Sequence, residues 1–146
     1  MRSLFSAILA VFVFLPSASF ALTPPLSDAE LAAQSELIVE GKVEKPLSCI
    51  GSLEKNKCST KYKYVGFIKV KKVIKGNAKP DERLQIVFYH LDYGKSGCVG
   101  DQYAALHIDD AGTFYLQRSG PDTFSPVHWS GVKLTEQGLE PLPQCQ

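Results

Sequence analysis

The run Tyr62 to Gly76, YKYVGFIKVKKVIKG, limits the fold more than any other part of the chain. It is rich in β-branched and aromatic residues and ends on lysine and glycine, the composition of a long strand that stops at a turn. Tyr64, Ile68 and Val70 keep one phase, the phase breaks at Lys71 and Lys72, and Val73 takes the opposite one while Ile74 keeps the first. Strand side chains alternate strictly, so a change of face in mid-run needs a bulge or a sharp coil. Closed barrels use such bends to turn corners. The run is therefore read as the long, bent second strand of a small barrel.

Around it the other elements fall into place. Leu26-Ser27-Asp28-Ala29-Glu30-Leu31 has the residues of a capping box at Ser27 and Glu30 and of a hydrophobic staple at Leu26 and Leu31, which predicts a short helix over Asp28 to Ser35. Glu36 to Lys45 alternates as a first strand with Leu37, Val39, Gly41 and Val43 on one face, and Gly41 marks a bend or a close crossing of backbones. A polar loop, LSCIGSLEKNKCST, is expected before the long strand. Arg83 to His90 is a third strand, apolar enough on both faces to be covered on two sides. Gln102 to Asp109 is expected as a fourth, Thr113 to Arg118 as a fifth, and His128 to Leu134 as a short last one. Turns fall at Asp109 to Gly112 and Ser119 to Thr123. The expected fold class is all-β with one short N-terminal helix: a small barrel of five to six strands, which the family resemblance given below makes OB-like.

Met1 to Ala21 reads as a signal peptide: Arg2 opens it, Leu4 to Leu15 is apolar, and Ser19-Phe20-Ala21 offers a cleavage site. Residues 22–146 are expected to form a single domain, exported to the periplasm or secreted, without a later membrane-spanning stretch. Four cysteines in an exported chain imply two disulfides. Sequence permits three connectivities. Cys49 with Cys58, bracketing the polar loop, and Cys98 with Cys145, fastening the tail, are the expected pairs. There is no C-x-x-C spacing of the kind a structural zinc uses, and the chain carries no cofactor motif.

Removing the leader, which holds Arg2 and no acid, leaves 15 of the 16 basic residues against 15 acidic ones. The charges are unevenly spread, since Lys55 to Pro80 contains nine lysines and no acid. Lys61, Lys63, Lys69, Lys71 and Lys72, interleaved with Tyr62, Tyr64 and Phe67, therefore form a candidate binding surface of the type OB barrels present to nucleic acid strands. Export disfavours nucleic acid and points instead to anionic polysaccharide, lipid headgroups or an acidic partner protein. A solvated lysine face that discourages edge-to-edge aggregation is the competing use of the same residues. Should a partner be held without the lysines, the aromatic segment Phe124 to Trp129 is the next surface to consider.

Catalytic patterns are few. Gly94-Lys95-Ser96 lacks the earlier glycine of a phosphate loop, because Tyr89 stands there, and Cys98 stands where a nucleophile elbow needs its second glycine. His90, His107 and His128 lie on three expected strands with Asp92, Asp109 and Asp110 nearby. They are the candidate ligands if the protein is instead an exported metal-dependent hydrolase or metal-binding protein, although no H-x-H or H-x-x-x-H spacing is present.

A helical lead into SELIVEGKV, a strand pair closing on VIKG, a cysteine shortly before GDQYAALHI and a late cysteine in the tail resemble the bacterial relatives of the tissue inhibitor of metalloproteinases and netrin-like domain family. The resemblance covers roughly Asp28 to Cys145 and implies an OB-like barrel with added helices. The animal inhibitors chelate a protease zinc through an N-terminal cysteine. Here Leu22-Thr23-Pro24-Pro25 stands at the expected mature terminus, so that mechanism does not carry over. The reading that remains is an exported binding or interaction module.

Overall fold

Ser27 caps helix α1, Asp28–Gln34, in a computed structural model that describes residues 23–95, 97–98, 100 and 102–145. The expected signal peptide lies outside the described residues. Both halves of the capping box are made: Glu30 N–H donates to Ser27 Oγ at 3.3 Å, and Ser27 N–H donates to Glu30 Oε2 at 2.8 Å. The helix is short and rests on Leu31, which is fully buried.

Six strands follow: β1 Leu37–Lys55, β2 Thr60–Lys75, β3 Arg83–Asp92, β4 Ala111–Gly120, β5 Thr123–Pro126 and β6 Val132–Glu136. The order β1-β2-β3-β5-β4 closes on itself because β4 also pairs with β1, and β6 lies outside the ring against β4. The pairings are antiparallel except β3 with β5. The result is the expected OB-like barrel. Its interior is filled by Val39, Val43, Ile68, Val70, Ile86, Phe88, Phe114 and Leu116, each at most 2% exposed. The outward-facing Val87 is buried too, as a strand covered on both faces requires.

The phase break in β2 is a pair of bulges. Gly41 partners Val70 and Glu40 partners Lys72, which leaves Lys71 as an extra residue; Val39 partners Val73 and Ile38 partners Lys75, which leaves Ile74. Val73 is thereby turned toward the core and Ile74 into solvent. Gly41 sits where β1 is flanked by β2 and β4. A Cβ there would lie 2.6 Å from both Ile68 Cγ2 and the Lys69 carbonyl oxygen.

Several expectations need correction. The stretch after Lys45 is not a loop, because β1 continues to Lys55 as one arm of a hairpin. Its turn is made by Asn56, whose Oδ1 accepts from the N–H groups of Cys58 and Ser59, both at 2.8 Å. Extra residues in this arm, among them Ile50 and Leu53, leave two large side chains in solvent. An extended arm separates Cys49 from Cys58 by about 20 Å between Cys49 and Lys55 alone, far beyond the reach of a disulfide. The bonds are instead Cys49–Cys145, with Cα atoms 5.2 Å apart, and Cys58–Cys98, at 5.5 Å. One fastens the tail to the barrel, and the other ties the hairpin tip to the loop after β3.

Gln102 to Asp109 is not a strand either. Leu106 and Ile108 are buried as their spacing suggests, but the segment packs over the core without joining the ladder of any strand. The chain makes a turn at Ile108 and Asp109 instead, with Asp109 N–H bonded to the Val43 carbonyl at 3.0 Å. Thr123 leaves the expected turn to begin β5, and His128 to Gly131 is a turn that precedes β6. Two disulfides of this kind persist in oxidising compartments. Among the described residues, no helix is long and apolar enough to cross a membrane.

Candidate binding face

Alternation along β2 turns Tyr64, Ile68 and Val70 into the barrel, so Lys61, Lys63, Val65, Phe67 and Lys69 point outward. Their Cα partners on β3 are Leu91, Tyr89, Val87, Gln85 and Arg83. The two strands thus present one outward face with lysines, an arginine and aromatic rings in alternation. This β2–β3 face is the one OB barrels use for ligands.

Its two ends differ. At the lower end Lys69 Nζ lies 3.8 Å from Asp81, Lys72 Nζ 3.8 Å from Glu40, and Arg83 Nε 3.4 Å from Glu44, with Arg83 also stacked on Phe67 at 4.5 Å. These exposed pairs are weak, yet they intersperse the lysines with acids. Lys71 occupies the bulge and makes no ion pair among the described residues. At the upper end the Lys61 ammonium lies 4.7 Å from the ring centres of both Tyr89 and Tyr103. A hydrogen bond with Tyr103, partly offset by burial, holds the Lys61 pKa above the ordinary lysine value. Lys63 stands beside Tyr89 and is without an ion pair among the described residues. Lys61 and Lys69 are about 26 Å apart along the strand, so the sequence cluster is two separate groups of cations.

The two rings beside Lys61 also line a cleft of about 360 Å³, while Lys61 itself lines the neighbouring hollow on the far side of Tyr103 with Glu54 and Asn56. Val87 and Tyr89 of β3, Tyr103 from the loop before β4, and Val127 and Trp129 after β5 form its apolar walls, and Gln102, Gln117 and Ser125 supply polar groups. Trp129 is held by a bond from its indole N–H to the Thr23 carbonyl at 3.1 Å. Tyr89 and Tyr103 meet edge to face with ring centres 5.7 Å apart. Trp129 belongs to the aromatic segment Phe124 to Trp129 singled out in the sequence, and Tyr89 to the expected third strand, whose two faces the sequence did not tell apart. Tyr103 was not legible, because its place depends on a loop packing across β3.

The histidines divide. His128 lines the cleft, with Nδ1 2.8 Å from Ser130 Oγ. His90 lies at the other side of the barrel wall among Tyr62, Tyr64, Asp92 and the tail. Burial lowers its pKa, Asp92 opposes that shift, and the neighbouring His107 reinforces it. Asp110, also considered as a ligand, is fully buried and spends both carboxylate oxygens on backbone N–H groups, those of His107 at 2.7 Å and Gly138 at 2.8 Å. Among the described residues no group of three His, Cys, Asp or Glu side chains is placed to hold a metal ion.

Fold and face together define an OB-like, doubly disulfide-linked barrel with a basic and aromatic surface on β2 and β3. Comparison with protein-family models, with curated proteins and with solved structures gave no significant match.

Proposed function

We propose that the protein is an exported binding module, periplasmic or secreted, that holds an anionic polymer of the cell envelope on the β2–β3 face. The observation that carries this reading is Lys61, whose ammonium is stacked on Tyr89 and Tyr103, two walls of the cleft, with Glu54 on its other side, while Lys63 beside it makes no ion pair among the described residues. A cation backed by aromatic rings attracts an acid group, and the rings offer flat surface to whatever carries that acid. The helix leading into β1, the OB-like strand order and a tail fastened through Cys145 support a netrin-like relation, in which the barrel serves as an interaction domain.

Retention on an anionic resin tests the reading. Binding to exposed charges is screened over about 8 Å at physiological salt, so elution should come at modest ionic strength. Charge reversal at Lys61 and Lys63 should abolish retention, whereas reversal at Lys69, Lys71 and Lys72, where acids are already interspersed, should only weaken it. Equal retention of wild type and both variants would remove the face from consideration.

A further inference from the structure

Resting on that reading, we propose that the cleft beside β3 is a subsite for one or two pyranose rings of an acidic polysaccharide, with the sugar's acid group held at its rim by Lys61 and Lys63. A volume of about 360 Å³ lies within the usual range for small-ligand sites. The walls combine two chemistries. Tyr89, Tyr103 and Trp129 present ring surface against which the C–H faces of a pyranose can lie. Gln102, Gln117 and Ser125 face the same space, and their side chains have no hydrogen-bond partner among the described residues.

Each of these amides both donates and accepts, and the serine hydroxyl does the same. Vicinal sugar hydroxyls need that mixture. A hydrocarbon chain would cover the amides without pairing them, which is costly. A bare phosphate chain would use the lysines and leave the aromatic walls idle. Charge and shape therefore select the same occupant: a ring with hydroxyls for the cleft and a carboxylate or sulfate directed over Tyr103 toward Lys61.

Titration calorimetry with three probes tests this: a tetramer of galacturonic acid, a neutral galactose tetramer of equal length, and inorganic polyphosphate. The wild type should bind the acidic tetramer best. Tyr103→Ala, and separately the double change Gln102→Ala with Gln117→Ala, should weaken that binding by about tenfold, roughly one lost stacking or paired contact; the glutamine variant, which leaves the surroundings of Lys61 intact, should bind polyphosphate as the wild type does. The two glutamines are exposed, so a folding defect in Tyr103→Ala would not leave the matter open. Polyphosphate binding without any saccharide binding, or saccharide binding indifferent to both variants, would overturn the subsite while leaving the anionic face intact. Failure of the wild type to hold either polyanion at low salt would overturn the face and the subsite together.

Discussion

Removing the Asp110 carboxylate should loosen the segment at Gly138 from the barrel, although Cys49–Cys145 still holds the end of the chain. Asp110 lies between the loop after β3 and the segment leading to Cys145, and its two oxygens accept from His107 N–H at 2.7 Å and Gly138 N–H at 2.8 Å. Its own backbone carbonyl accepts from Val43 N–H at 2.8 Å, so the clasp also borders β1. A hydrogen bond to a charged group contributes about 1.5–3 kcal/mol. Asp110→Ala loses two and should cost about 3 kcal/mol, the low end of the sum, because water entering the vacated space re-pairs part of the exposed backbone. Asp110→Asn keeps the shape but offers one oxygen, and its amide nitrogen must face an N–H group, so about 1.5 kcal/mol should be lost. Urea unfolding with both disulfides intact measures these losses, and hydrogen exchange at His107 and Gly138 locates them. A cost below about 0.5 kcal/mol, the size of an ordinary surface change, or an Asn variant as stable as wild type, would refute the clasp.

Loop entropy ranks the disulfides: with separations of 96 and 40 residues, losing Cys49–Cys145 should cost about 4.7 kcal/mol and losing Cys58–Cys98 about 3.9 kcal/mol. Denaturation of Cys145→Ser and Cys98→Ser checks the order, and a costlier loss of the shorter link would show that loop entropy does not govern it. Gly41→Ala places a Cβ against Ile68 and the Lys69 carbonyl and should destabilise by about 1–3 kcal/mol in a thermal melt; an unchanged melting temperature would mean the strands can separate there freely. Burial lowers the His90 pKa in the folded protein, so its contribution is fully present above the unfolded value of about 6.5 and is lost as pH falls through the folded value. Melting temperature should therefore fall as pH is lowered below about 6.5, and His90→Gln should flatten that drop; an equally steep variant would assign the titration elsewhere.

The barrel was legible where one residue pattern admits one geometry. Lysine cannot easily be buried, so Lys71 and Lys72 standing together inside an apolar alternation had to mark a bulge, and one lies at Lys71. Ser27 and Glu30 likewise have one use at that spacing, the capping box. Gln102 to Asp109 misled because alternating burial is also produced by an extended segment packed over a core without pairing. The cysteine pairing failed for a related reason. A polar stretch with glycine reads as a loop, and only the partner strand shows that bulges let Cys49 to Lys55 continue as an arm too long for Cys58 to fold back.

The candidate face was half legible for a geometric reason as well. Sequence shows that Lys61, Lys63 and Lys69 share one side of a strand, but not what the adjacent strand sets beside each of them. Register with β3 places Arg83 opposite Lys69 and Tyr89 opposite Lys63, while Asp81 reaches Lys69 from the turn before β3. Equivalent lysines thereby become different: Lys69 and Lys72 near the bulge are paired with acids, whereas Lys61 near the hairpin tip has two aromatic rings beside it as well as Glu54 on the other neighbouring strand. The Cys58–Cys98 bond sharpens the difference, because it ties the tip next to Lys61 to the loop that brings in Tyr103. Opening that one link should therefore loosen the cleft wall before it loosens the barrel, whose tail is held independently through Cys145. Cys58→Ser combined with Cys98→Ser should lose acidic-saccharide affinity while the core amides of Ile68 and Phe114 keep their protection. Simultaneous loss of both would show that the face is not organised separately from the fold.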